Sequence, residues 1–304
     1  MSTLLQLTFA GLNVGVLYML VALGMVVTHQ VARVESLAQG VFVVYGALIF
    51  GTVRDGLGLP LAVAVAASLV ACAAIAAVLH VIILNRFTAR GSTGPVIMSL
   101  GCALLFSELA RQFWGLNDRS AAPYLPSRPL QVLGATVLPQ SLLMWTGAAV
   151  LVVVGYLLFE RTMAGKALRA AADDAAGARL VGINVRRMRF ISFQLAGLLG
   201  CVAGILLAPV MAFGWSAVLP MAVVGAIGAI AGRWEYAPAA LASLAIGLFA
   251  SYAGGYVSTG WQDVYVYGAF IAVLFLLRED KRPRAGIRLH PLRPRTTTPP
   301  QEVR

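Results

Sequence analysis

Residues able to do covalent chemistry are few in this chain, and they are not grouped. The three histidines, His29, His80 and His290, stand far apart. There is no H-E-x-x-H pair and no G-x-S-x-G elbow, and Cys72, Cys102 and Cys201 each lie singly within an apolar run. A nucleophile needs a base beside it and a metal needs several converging ligands. The sequence offers neither, so it predicts no catalytic residue, no metal and no cofactor. A nucleotide-binding P-loop is missing too. The one Gly-Lys pair, Gly165-Lys166, is followed by Ala167 and has Glu160 where the upstream glycine belongs.

What remains is the chemistry of a path: polar side chains set inside apolar stretches. Asn13, Gln39, Ser99, Gln194, Asp263 and the Glu108–Arg111 pair are the candidates. An unpaired ion at mid-bilayer costs about 2.5–3.5 kcal/mol, so such groups pair or line a cavity. Glu108 and Arg111 are one turn apart and can neutralise each other, while Asp263 falls at a span end. No span carries the buried carboxylate or cation of a proton-coupled pump. A path without an engine fits a channel, or a subunit driven by a partner. A stand-alone secondary carrier is the competing reading, and an intramembrane enzyme is disfavoured by the missing nucleophile and base.

Helices must hold these groups. The chain has 304 residues, 60% apolar and 12% charged, with mean hydropathy +0.84. That charged share is about half the usual one for soluble domains, and the apolar runs suit bilayer spans of ~20 residues. The sequence therefore predicts an all-α integral membrane protein, a multi-pass bundle of eight or nine transmembrane or re-entrant helices. The expected segments are 4–27, 36–53, 60–84, 93–113, 141–159, 190–213, 217–231, 237–256 and 262–277. Two of them are short, 36–53 and 217–231, and the second contains Pro220. Residues 114–139, with mixed charge and several prolines, read as an extramembrane loop.

Charge sets the orientation. The segment 160–189 carries seven Lys/Arg against three acids, and the tail from Arg278 carries eight basic residues and five prolines. Lys and Arg beside spans resist translocation. With 160–189 on the cytoplasmic side, nine alternating segments place the N-terminus outside and the tail inside, and 19 of the 23 Lys/Arg become cytoplasmic. The net charge of +11 thus reads as topology and contact with anionic lipid headgroups rather than nucleic-acid binding. The domain expectation is a transmembrane unit over 1–278 and a disordered basic tail over 279–304. Inside the basic loop, Ala167, Leu168, Ala171, Ala172, Ala175 and Ala176 recur at helical spacing, and Arg169 can pair with Asp173. A short amphipathic helix over 164–181 is expected there.

The run GKALRAAADDAAGARLVGINVRRMRFISFQLAGLLGCVAGILLAPV resembles the loop-and-span signature of the permease subunits of branched-chain amino acid ABC importers. Gly165, Arg169, Ala170, Asp173, Asp174, Ala178, Leu180, Gly182, Ile183, Asn184 and Val185 match it. The opening GLNVGVLYMLVALGMVV is similar to the family's first span, with Gly11, Gly15, Tyr18, Ala22, Leu23 and Gly24 in place. The resemblance implies that the loop is a coupling helix docked on a cytoplasmic ATPase, with Gly165, Arg169, Asp173, Asp174, Leu180, Gly182 and Ile183 as coupling residues. It implies two ATP-binding subunits, a second homologous permease, a periplasmic solute-binding protein and an inner-membrane location. Asn13, Tyr18, Ser36, Gln39 and Ser99 are its expected path residues. Two departures bear on the solute. Ser36-Leu-Ala-Gln39-Gly40 stands where the family carries Asn-Phe-Ala-His-Gly, and Gly225-Ala-Ile-Gly228-Ala229 replaces Gly-Gly-x-Gly-Ser. A branched-chain or related amino acid is expected, with an amide or urea as alternatives.

Overall fold

A computed structural model describes residues 2–32, 35–87, 93–125, 130–132, 135–256, 261, 264–268 and 270–272. Arg33, Arg90, Arg128, Asp263 and the expected tail over 279–304 lie outside the described residues. The helices are α1 (Ser2–Ala32), α2 (Gln39–Gly51), α3 (Leu61–Phe87), α4 (Thr93–Trp114), α5 (Pro139–Tyr156), α6 (Met163–Asp173), α7 (Ala175–Leu180), α8 (Val185–Leu207), α9 (Val218–Ala231) and α10 (Tyr236–Tyr256). Six of them, α1, α3, α4, α5, α8 and α10, are long and apolar enough to cross a membrane. The last expected span, 262–277, is described only at 264–268 and 270–272, which are helical.

The two short segments resolve into interior helices. α2 has 13 residues and continues as a π-helical turn over Thr52–Gly56. α9 has 14 residues, led by a 3-10 turn over Trp215–Ala217. At about 1.5 Å per residue α9 reaches ~21 Å, short of a ~30 Å hydrocarbon core. Short helices survive at membrane depth only when protein surrounds them, and 11 of the 13 residues of α2 are buried. Of the nine expected segments, six are long helices and two are short, largely buried ones, while the ninth is described only in part.

α1 is the centre of the bundle. Of its most apolar stretch 78% is buried, against 22% for both α3 and α5, which turn most of their surface outward. α1 packs along α8, α9 and α10, while α2 lies against α8, α3 and α9. Backbones touch at the α2–α8 crossing: a methyl on Gly46 would come 2.8 Å from Cys201 Cα, and one on Gly204 2.9 Å from Ala47 N. Small residues at these positions permit the approach.

The loop after α4 contains an antiparallel hairpin, β1 (Leu130–Val132) with β2 (Ala135–Val137), Leu130 opposite Val137. Nearby, Arg54 donates to the carbonyls of Ala122 and Pro123 at 2.9 and 3.3 Å. Its guanidinium lies 4.8 Å from the Tyr124 ring centre. The end of α2 is thereby strapped to the loop, and Tyr124 Oη extends the strap to α8 by donating to the Ile205 carbonyl at 2.7 Å.

Candidate functional site

The loop between α5 and α8 is built by its caps. α5 ends in a π-helical turn over Leu157–Arg161, and Thr162 then starts α6, its Oγ1 accepting from Gly165 N at 3.1 Å. A side chain on Gly165 would overlap the Phe159 carbonyl oxygen, so α6 rests directly on the backbone of the preceding turn. Arg169 reaches back to the same turn. Its Nη1 donates to Glu160 Oε2 at 2.8 Å and its Nη2 to the Phe159 carbonyl at 3.0 Å. The ion pair seen for Arg169 is with Glu160, nine residues earlier.

The expected single helix over 164–181 is broken at Asp174, whose backbone is extended (φ −139°, ψ 96°). The break is a cap: Asp174 Oδ1 accepts from Ala176 N and Gly177 N, both at 2.9 Å, and starts α7. α7 then stops at Gly182, with φ +83°. Gly182 N bonds the Arg179 carbonyl and Ile183 N the Ala178 carbonyl, the paired closure that a left-handed glycine makes at a helix end. Asn184 begins α8, accepting from Arg187 N at 3.1 Å. Asp174, Gly182 and Asn184 therefore set the shape of the loop. Ile183 packs against the small cluster of Ala171, Ala178 and Val185. Leu180 and Val181, by contrast, stand 89% and 75% exposed at the turn.

A cavity of about 640 Å³ opens behind α6. Its walls include His29 and Gln30 of α1, Glu160, Arg169 and Asp173 of the loop, and the α9–α10 turn. In that turn Arg233 and Trp234 adopt left-handed backbone, φ +56° and +61°, which is costly for residues with a Cβ. The Trp234 ring stacks on His29 at 3.9 Å, and Gln30 Nε2 donates to the Trp234 carbonyl at 2.9 Å. Thr162, Glu160 and the His29–Trp234 contact were not singled out from the sequence. Thr162 and Asn184 had a visible signal, a polar capping residue just before a helix. The His29 contact, between residues 205 apart, had none.

Of the five expected path residues, the structure brings three together. Ser99 of α4 accepts from Leu37 N at 3.0 Å and so holds the bend before α2. Ser36 lies in that bend, buried, its Oγ without a partner among the described residues. Gln39, 1% exposed, fills the space left by Gly24 and Gly200 and donates to the Ala196 carbonyl at 3.2 Å. Asn13 is elsewhere: it accepts from Trp145 Nε1 at 2.8 Å and donates to Ser141 Oγ at 3.3 Å, tying α1 to α5. Tyr18 is buried on α1. Glu108 and Arg111 pair, as their spacing predicts, on an exposed face of α4.

These features define a multi-pass helical membrane protein with two short, largely buried helices and a capped loop between spans. The chain is 26% identical to the high-affinity branched-chain amino acid transport system permease protein LivH of Escherichia coli K12 over 297 residues, 90% of this chain and 93% of that one. It is 24% identical to the corresponding protein BraD of Pseudomonas aeruginosa, covering 89% and 92%. The fold is shared with PsaBC from Streptococcus pneumoniae, solved in complex with Fab, at TM-score 0.50 and 14% identity over 91% of this chain and 92% of that one. The family profile of the permease component of branched-chain amino acid transport systems matches residues 7–277. The chain belongs to this family, and is thus a permease subunit of the ABC-importer kind.

Proposed function

We propose that this chain forms part of the solute path of an importer in the bacterial inner membrane, with α6 and α7 as the place where a partner ATPase acts. The observation that carries the reading is the pair Leu180 and Val181, adjacent, apolar and 89% and 75% exposed, on a loop whose helix ends are capped. Neighbouring apolar side chains held out on a capped basic loop fit a partner's surface better than water. The engine is external: the sequence has no P-loop. The proposed partners are two cytoplasmic ATP-binding subunits, a second homologous permease and a periplasmic solute-binding protein.

The proposed solute is a branched-chain or chemically related amino acid, the class named for LivH and BraD. Gly165, Arg169 and Asp173 to Asp174 are proposed to transmit ATPase motion through Phe159 and Glu160 into α5. Ser36, Gln39 and Ser99 are proposed to guard the path where α2 begins, with Tyr18 and Asn13 on the α1 side. The proposed orientation is N-terminus outside, with residues 1–278 as the permease unit and 279–304 as a cytoplasmic tail.

The test is co-purification with the ATPase subunits in a strain expressing the whole transporter. A double substitution, Leu180→Asp with Val181→Asp, is expected to cut ATPase recovery and solute uptake about thirty-fold, the loss of a ~2 kcal/mol contact, with membrane insertion unchanged. Undiminished recovery of the ATPase with this variant removes the loop as its docking site.

A further inference from the structure

We propose that the groove between the loop-side ends of α3 and α8 binds the phosphate headgroup of an anionic phospholipid. The groove measures about 320 Å³ and is lined by His80, Val81, Asn184, Arg186, Arg187 and Phe190. His80 is 5% exposed, and its Nδ1 has no hydrogen-bond partner among the described residues. A buried polar nitrogen left unpaired costs free energy, so it marks a place where a partner belongs. The ring cannot easily turn away: Phe190 and Phe193 meet it edge-on, with centres 5.3 and 5.6 Å apart.

The remaining lining supplies charge. Arg186 and Arg187 are exposed at the first turn of α8, and neither takes part in the ion pairs found among the described residues. Arg189, three residues after Arg186, has a buried Nε that also lacks a partner. Guanidinium groups match phosphate oxygens in geometry as well as charge, and the positive end of a 23-residue helix points the same way. An imidazole N–H at Nδ1 can donate to the same group.

The position favours a lipid over a free anion. His80 lies three residues from the end of the apolar stretch Leu61–Ile83, the depth at which a headgroup meets a helix end. Val81 and Phe190, 53% and 39% exposed, offer apolar surface for the adjoining acyl chain. The inference needs only that α3 and α8 cross a bilayer, and stands apart from the transport reading.

The experiment is native mass spectrometry of the purified full chain with phosphatidylglycerol or phosphatidylcholine, alongside thermal unfolding with inorganic phosphate. Wild type is expected to retain phosphatidylglycerol over phosphatidylcholine. Arg186→Ala with Arg187→Ala is expected to lower that retention about ten-fold or more, given two cations at the membrane surface. Lys166→Ala with Arg179→Ala, which removes equal charge elsewhere on the loop, is expected to leave it unchanged. His80→Phe, which keeps an aromatic ring but no nitrogen, is expected to weaken retention, while His80→Gln keeps it. Equal loss in both charge variants overturns the site in favour of diffuse attraction. Stabilisation by inorganic phosphate equal to that by phosphatidylglycerol overturns the lipid in favour of a soluble anion.

Discussion

Gly165 carries the tightest constraint in the loop between α5 and α8, because the atoms facing it are backbone carbonyls of Phe159 and Leu158, which cannot rotate away as a side chain can. Gly165→Ala must lift α6 from its seat, an overpacking cost of about 1–3 kcal/mol. The expected result is a lower unfolding temperature in detergent. The reference is Gly101→Ala on the exposed face of α4, where nothing lies within 4 Å and alanine is the better helix former. An equal unfolding temperature for the two variants contradicts the close seating of α6. At this scale the sequence marked several residues that shape the loop and was silent about how they do so. Gly165, Asp174, Gly182 and Asn184 were all visible as a pattern. That Asp174 interrupts the helix was not, since an alanine-rich run favours continuity and only a side-chain bond to two amides breaks it.

Between elements, the polar contact of Asn13 with Trp145 and Ser141 joins α1 to α5 across 132 and 128 residues of sequence. Asn13→Leu leaves the indole N–H without its acceptor, a loss of about 1–3 kcal/mol where the site stays dry. Trp145→Phe in the same background is expected to restore part of that loss. A double-mutant cycle on thermal unfolding checks it, and purely additive losses contradict a direct bond. Sequence spacing could place Asn13, Gln39 and Ser99 on helices, but not sort them. One belongs to an α1–α5 tie and two to the bend before α2. The lengths of α2 and α9 were legible, because a short apolar run remains short however it packs. The β1–β2 hairpin was not, since strands of three residues fall below any periodic signal.

For the whole molecule, the proposed orientation rests on where the cations lie. With the loop inside and all nine expected segments crossing, 19 of 23 Lys/Arg are cytoplasmic, the direction of insertion that the bias of short loops favours. A phosphatase fused at Arg304 is expected to stay inactive, and a green fluorescent reporter fused there to fluoresce. Periplasmic phosphatase activity from that fusion reverses the topology and moves Leu180 and Val181 to the wrong face for an ATPase. The family assignment stands apart from this outcome, since it rests on residues 7–277 as a whole.

The bare backbone contact between α2 and α8 has a mechanical consequence. At Gly46 and Gly204 the two helices meet backbone to backbone, and two turns before Gly46 the side chain of Gln39 enters the space left by Gly200 and bonds the Ala196 carbonyl of α8. Such a seam behaves as a latch rather than a bearing. For α2 to slide along α8, Gln39 must first withdraw from its notch, so a push on either end of α2 is handed to α8 and the pair travels as one piece.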